Sequence, residues 1–145
     1  LEARSRFPDA PIYLHPVEES WLTDPMLNLS AAIGLAVTAP SLAGYLNHGD
    51  TLTLDSVTFR IAHTPGHSPG SVSIIHEPSN TALVGDTLFQ GSIGRTDFPG
   101  SSFEQLESSI KQHLYTLDPQ TTCYPGHGPK TTVGHETVTN PFVRL

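Results

Sequence analysis

Three times in this chain a short apolar run is cut off by glycine or proline and followed at once by a histidine or an aspartate. The strings are Thr64-Pro65-Gly66-His67-Ser68-Pro69-Gly70, Val84-Gly85-Asp86-Thr87 and Tyr124-Pro125-Gly126-His127-Gly128-Pro129. Apolar β-branched runs read as strands, and Gly and Pro end them abruptly. His67, Asp86 and His127 are therefore expected to project from strand ends into a shared rim rather than into the core. Loops held on a rigid sheet are where sites are built, and imidazole with carboxylate makes a ligand set for zinc, iron or manganese.

The rest of the chain supplies a sheet and helices to carry such a rim. Thr51 to Leu54 and Val57 to Ala62 alternate around an Asp55-Ser56 turn and read as a β-hairpin, with Val57, Phe59 and Ile61 on one face. Two more strands, Ser71 to Ile75 and Ala82 to Val84, flank a Pro78-Ser79-Asn80 turn, so the sheet is expected to be largely antiparallel. Ser101 and Glu104 fit a capping box. Behind it Phe103, Leu106, Ile110, Leu114 and Leu117 recur at steps of three and four, which lays one apolar stripe along a helix. A strand over Thr121 to Tyr124 and a helix over Val133 to Thr139, ended by Asn140-Pro141, complete the second half.

The first half is less regular. Leu1 to Phe7 reads as the last turns of a helix, and a chain that begins at Leu1 rather than Met is expected to be a fragment or a processed form. Pro8 to Pro11 turns into a strand at Ile12 to Leu14, while Glu18 to Ser41 shows no periodicity that assigns it.

Composition narrows the function classes. A chain of 145 residues is one domain's worth of sequence. With 37% hydrophobic and 14% charged residues it is compact rather than disordered. A net charge of −7 and no cluster of Lys and Arg exclude nucleic acid as the partner. The apolar stretches are too short for a membrane span, and no signal peptide is recognisable, so a soluble chain in the cytoplasm is expected. One cysteine, Cys123, rules out an internal disulfide. Its place in a short strand makes it a small packed hydrophobe rather than a nucleophile.

His63-Thr64-Pro65-Gly66-His67-Ser68-Pro69-Gly70-Ser71, then Gly85-Asp86, then Gly94-Arg95-Thr96-Asp97-Phe98-Pro99, then Pro125-Gly126-His127-Gly128-Pro129 resemble, in that order, the metallo-β-lactamase superfamily. The resemblance is to its short glyoxalase II-like hydrolases, and it runs from about Leu1 to the end. It implies an α/β fold, an incomplete αββα sandwich with a largely antiparallel sheet and flanking helices. It also implies that His67 completes one metal site, that Asp86 bridges two metals, and that His127 belongs to the second. Two divalent metals follow, zinc first, with iron or manganese as alternatives.

The family's other four ligands come from a His-x-His-x-Asp-His segment. No two of the eight histidines here have one residue between them, so that motif is absent from this sequence. The expectation is the C-terminal portion of the family domain, weakly metallated and inactive by itself. In the intact protein the resemblance implies hydrolysis of a small hydroxyacyl-glutathione thioester such as S-lactoylglutathione. Only 18 residues follow His127, which leaves no room for the helical domain that holds glutathione in longer enzymes. The alternatives are a persulfide dioxygenase-like enzyme with one iron on His67 and Asp86, and a noncatalytic fragment. An open sheet edge suggests a homodimer.

Several residues remain to be placed. Arg95 and Asp97 either form an ion pair that shapes their loop, or Arg95 contacts an anionic substrate group with its planar fork. His135, eight residues after His127, is a candidate substrate contact. His63 reads as a partly buried structural residue, and His15, His48, His76 and His113 have no ligand partner at suitable spacing.

Overall fold

The computed structural model describes residues 5–39 and 42–145, which form two compact units, Leu1–Leu46 and Asn47–Leu145. In the first unit Ser5 and Arg6 are helical; the remainder of the helix read over Leu1 to Phe7 lies, for Leu1 to Arg4, outside the described residues. Strands β1 (Tyr13–Leu14) and β2 (Gly44–Tyr45) pair in parallel. The stretch between them holds short 3₁₀ turns at Pro16–Leu22 and Ser30–Ile33; Pro40 and Ser41 lie outside the described residues. Side chains organise this stretch. The Asn28 amide donates to the Trp21 and Val37 carbonyls at 2.7 and 3.0 Å, and its Oδ1 accepts from Ser30 N–H. The Ser30 hydroxyl accepts from Val37 N–H. Structure held by polar side chains leaves no apolar period, which is why the sequence could not assign it.

The second unit is a six-stranded sheet in the order β10-β9-β6-β5-β4-β3. Its strands are β3 (Thr51–Leu54), β4 (Val57–His63), β5 (Val72–His76), β6 (Thr81–Gly85), β9 (Thr122–Pro125) and β10 (Thr131–Thr132). A small hairpin of β7 (Leu88–Phe89) and β8 (Ser92–Ile93) follows β6. Every neighbouring pair is antiparallel except β6 and β9, which run parallel. A parallel pair needs a long crossover, and here it contains helix α1 (Phe103–Ser109) with its continuation, a π turn at Ile110–Leu114. Helix α2 (Val133–Thr139) covers the range read from the sequence.

One face of the sheet, with Ala62, Ile75, Ala82, Val84 and Cys123, is buried with Leu106, Ile110 and Leu114 of the crossover and with Leu88, Val133 and Val143. Burial, reinforced by Glu136, pushes the Cys123 thiol up to about 12, so the thiolate is not populated at neutral pH and the packed reading holds.

Two details of the helix differ from expectation. The N-cap is Ser102, not Ser101: the Ser102 hydroxyl accepts from Gln105 N–H and donates to Glu104, while the Ser101 hydroxyl is used on the Phe98 carbonyl. Serines at both positions satisfy the spacing rule, and the turn at Phe98 takes the first. Phe103 is 39% exposed rather than buried. Close contact with the sheet begins one turn later, where Gly66 lies so near the Leu106 backbone that any β-carbon at Gly66 would overlap it. Leu117 is partly buried against the core, and Glu107 and Lys111 pair at 3.0 Å on the outer side.

His48 and His113 are not isolated. Their rings lie 4.8 Å apart, and His48 Nδ1 accepts the His63 backbone N–H. Burial first, then the neighbouring His48, Arg60 and His63, holds the His113 imidazole below its ordinary range. The unfolded chain therefore takes up this proton first as pH falls below about 6.5. Stability is complete above that value and is lost as pH falls toward the lower folded-state value.

Leu106→Ala is expected to cost about 2–5 kcal/mol in a urea titration, against less than about 1 kcal/mol for Phe103→Ala. The melting temperature should fall as pH is lowered below about 6.5, and the fall should be shallower in His113→Gln.

Candidate metal centre

Strands β4, β6 and β9 all run the same way, because β5 is antiparallel to β4 and to β6, and β9 is parallel to β6. His67, Asp86 and His127 each follow the C-terminal end of one of these three strands, so topology delivers all three to one edge. There they line a single cleft of about 590 Å³.

The loop that bears His67 is clamped from several sides. The buried Thr64 hydroxyl bonds to Ser73 and Thr87, the Gly66 carbonyl accepts from Ser102 N–H, and the Ser109 hydroxyl donates to the Pro65 carbonyl. His63 Nε2 lies 2.8 Å from the Pro69 carbonyl, so His63 is a structural residue of this loop. His67 Nδ1–H donates to the Arg95 carbonyl at 3.0 Å, which leaves the Nε2 lone pair free to coordinate. The loops of Asp86 and His127 are tied together by Gly126 N–H on the Gly85 carbonyl, and a β-carbon at Gly126 would overlap the Asp86 carboxylate and force it to move. The His127 ring packs on Phe89, with centroids 4.6 Å apart.

His67 Nε2 stands 3.7 Å from Asp86 Oδ2, and His127 Nε2 stands 3.9 Å from Asp86 Oδ1. These gaps are too long for direct hydrogen bonds. They suit an ion between each pair, because metal–N and metal–O bonds of about 2.0–2.2 Å at an open angle set the two atoms roughly 3.3–4 Å apart. Each imidazole faces its own oxygen of one carboxylate. Among the described residues no group of three or more His, Cys, Asp or Glu side chains is placed to hold a metal ion, and the three candidates meet only as two pairs that share Asp86.

The other candidates divide. Arg95 lines the cleft, but its guanidinium is held by Asp97 in a two-point fork at 2.6 and 2.7 Å and lies 3.9 Å over the Phe98 ring. Asp97 raises the Arg95 pKa, and Arg95 in turn holds the Asp97 carboxyl below its ordinary range. His135 does not line the cleft, contrary to expectation. Thr132 caps α2 on the His135 N–H, which sets the helix phase so that Glu136 turns inward and the His135 side chain stays 49% exposed.

Glu136, which no motif singles out, is fully buried. Its carboxylate accepts from Gly91 N–H, the Thr131 hydroxyl and the Asn140 amide, and Asn140 also holds the Ser92 carbonyl. It thus anchors the β7–β8 turn that presents Phe89. Only the Glu136/Asn140 spacing of one helical turn hinted at such a pair.

The metallo-beta-lactamase superfamily model matches residues 5–127. The chain belongs to the metallo-beta-lactamase superfamily. Members of the superfamily bind divalent metals, and the mixed sheet with flanking helices is the metallo-beta-lactamase fold. The probable metallo-hydrolase YqgX of Bacillus subtilis is 44% identical over 98% of this chain and 67% of its own length. The hydroxyacylglutathione hydrolase GloC of Haemophilus influenzae is 46% identical over 66% of this chain and 45% of its own length. Among solved structures, BLEG-1, a B3 metallo-beta-lactamase, superposes with a TM-score of 0.90 at 42% identity, covering 98% of this chain and 68% of its own. TTHA1623 in a di-iron-bound form superposes with a TM-score of 0.80 at 39% identity, covering 98% and 69%. The chain spans 62 to 67% of the length of the first curated relatives it matches. No helix among the described residues of this metallo-beta-lactamase-fold chain is long and apolar enough to cross a membrane.

Gly126→Ala is expected to displace Asp86 and weaken metal binding by about tenfold or more, read by competition with a chelating dye, while circular dichroism stays native. Glu136→Ala, which strands three donors, should cost about 2–4 kcal/mol and raise amide exchange at Gly91.

Proposed function

We propose that the intact protein is a metal-dependent thioester hydrolase of the glyoxalase II type, acting on small hydroxyacyl-glutathione thioesters such as S-lactoylglutathione. The observation that carries the reading is the pair of imidazole nitrogens set on opposite oxygens of Asp86, 3.7 and 3.9 Å away. His67 with Asp86 would hold one divalent metal and Asp86 with His127 the other, zinc being the first choice. Bound there, such metals supply an acidified water and a Lewis acid for a carbonyl oxygen.

The chain's own residues orient that chemistry. The Arg95 carbonyl fixes the ring of His67, Phe89 supports the ring of His127, and Gly126 admits the Asp86 carboxylate between the two loops. Phe89, Ile93 and Phe98 line the cleft beside them. The likeness to the GloC protein supports a thioester as the substrate class. A single iron on His67 and Asp86 would leave His127 without a role, so its approach to Asp86 supports two metals over one.

The test is a steady-state comparison of the 145-residue chain with a version preceded by a His-x-His-x-Asp-His segment, each supplied with zinc or iron. A zinc centre is held by about three protein ligands with one open position, whereas each pair here provides two residues. The short chain is therefore expected to stay at background and the extended one to hydrolyse S-lactoylglutathione. Asp86→Ala should abolish that activity by removing a ligand from both metals. Stoichiometric metal and full turnover in the short chain would show the ligand set to be wrong, and hydrolysis of a β-lactam in place of the thioester would replace the substrate class.

A further inference from the structure

The two imidazoles of the rim are held by different means. The His67 ring is fixed by a hydrogen bond from its Nδ1–H to the Arg95 carbonyl. Among the described residues no hydrogen bond holds the His127 ring, whose side chain is 74% exposed and meets the protein at the Phe89 ring and, at 3.9 Å, at Asp86. A ligand without its own outer hydrogen bond takes its orientation from whatever packs on it and from the loop that carries it. For His127 these are β7, which bears Phe89, and the loop from β9 to Thr131 at the start of β10. Both end on one side chain. One oxygen of the fully buried Glu136 accepts from Gly91 N–H in the β7–β8 turn at 3.0 Å and from the Asn140 amide at 2.8 Å, and the other accepts from the Thr131 hydroxyl. Asn140 extends the hold to the Ser92 carbonyl of β8, and His135 Nε2 stands 3.9 Å from the carboxylate. A carboxylate is costly to bury, and an apolar side chain of similar volume would fill the same space without that cost. What the carboxylate adds is a fixed spacing between the β7–β8 turn and β10, the two segments on which His127 depends.

We propose that Glu136 is a positioning residue for the second metal position, the one formed by Asp86 and His127: by holding Gly91 and Thr131 on opposite oxygens, it sets the gap in which the His127 ring and its loop sit. The inference rests on the reading of the rim as a metal centre and not on the thioester as substrate. Glu136 does not line the cleft. It acts through Phe89 on one flank of His127 and through the β10 end of the loop on the other. Its influence is selective, because the His67 ring hangs from the Arg95 carbonyl and its loop from Ser102 and Ser109, none of which Glu136 holds. The first position therefore keeps its geometry when Glu136 is removed. The role asks for hydrogen bonds and not for charge. A glutamine at this position can accept from Gly91 and Asn140 with its carbonyl oxygen and donate to the Thr131 hydroxyl with its amide.

The experiment titrates zinc, in competition with a chelating dye, into the protein preceded by a His-x-His-x-Asp-His segment. The unaltered protein should take up two equivalents. Glu136→Ala should keep the first and weaken the second by about tenfold or more, while Glu136→Gln should restore the second to within about threefold of the unaltered protein. Ile75→Ala opens a cavity in the buried face of the sheet, toward the strand ends opposite the rim, and so lowers stability. It should leave both affinities unchanged, which separates positioning from loss of stability. A second readout needs no metal: in the NMR spectrum of the metal-free protein, the contact between the His127 and Phe89 rings should be lost in Glu136→Ala and kept in Glu136→Gln. Equal weakening of both zinc ions, an unchanged second zinc in a folded Glu136→Ala, or a Glu136→Gln no better than Glu136→Ala overturns the proposal. Uptake of fewer than two zinc ions by the unaltered protein would instead overturn the two-metal reading, and the ring contact then decides the role of Glu136. Should Glu136→Ala fail to fold, Thr131→Val, which cuts only the loop flank, decides. The second zinc should then weaken by about threefold or more, and undiminished affinity overturns the proposal.

Discussion

The parallel pairing of β6 with β9 is the constraint on which the candidate site depends. An antiparallel partner at that position would run its C-terminal end to the opposite edge of the sheet and carry His127 away from Asp86. The crossover that permits the parallel pair is also the element that covers the core, because Leu106, Ile110 and Leu114 lie along it and are buried with the strands it joins. Hydrophobic burial and site assembly are therefore one event in this unit. The helix must pack for β9 to lie beside β6, and β9 must lie there for His127 to face Asp86.

Positioning within that edge is left to polar contacts and to the absence of side chains. Gly66 lets the His67 loop lie against the Leu106 backbone, and Gly126 lets the His127 loop lie against Asp86. Glu136 places a carboxylate in the interior, where an unpaired one would be costly. Three donors satisfy it, and two of the groups it gathers, Gly91 and Thr131, lie close in the chain to residues that line the cleft. The resulting rim holds His67 and Asp86 through backbone and glycine contacts, while the His127 side chain stays largely exposed beside Phe89.

The charge pattern of the cleft follows from the same economy of contacts. Arg95 contributes its carbonyl to His67, its guanidinium to Asp97 and its face to Phe98. One residue thus ties the orientation of a candidate ligand to the character of the wall beside it. The two are coupled through a loop only a few residues long.

Much of this was legible in the chain itself. The strand runs, the β3–β4 hairpin, the amphipathic stripe and the α2 boundaries follow from local periodicity and turn chemistry, and His67, Asp86 and His127 stand out because each interrupts an apolar run. These are short-range signals, written in neighbouring residues. Tertiary structure alone decided that Ser102 rather than Ser101 caps the helix, that His135 does not line the cleft, that Glu136 is buried, and that Arg95 is paired with Asp97 and stacked on Phe98. Each of these depends on which of several locally acceptable partners the fold brings within reach: the Phe98 carbonyl claims Ser101, and the phase set by Thr132 turns Glu136 inward in place of His135. A sequence specifies the donors and acceptors a residue offers, but long-range packing selects among them, because only the folded chain fixes the distances on which their energies depend.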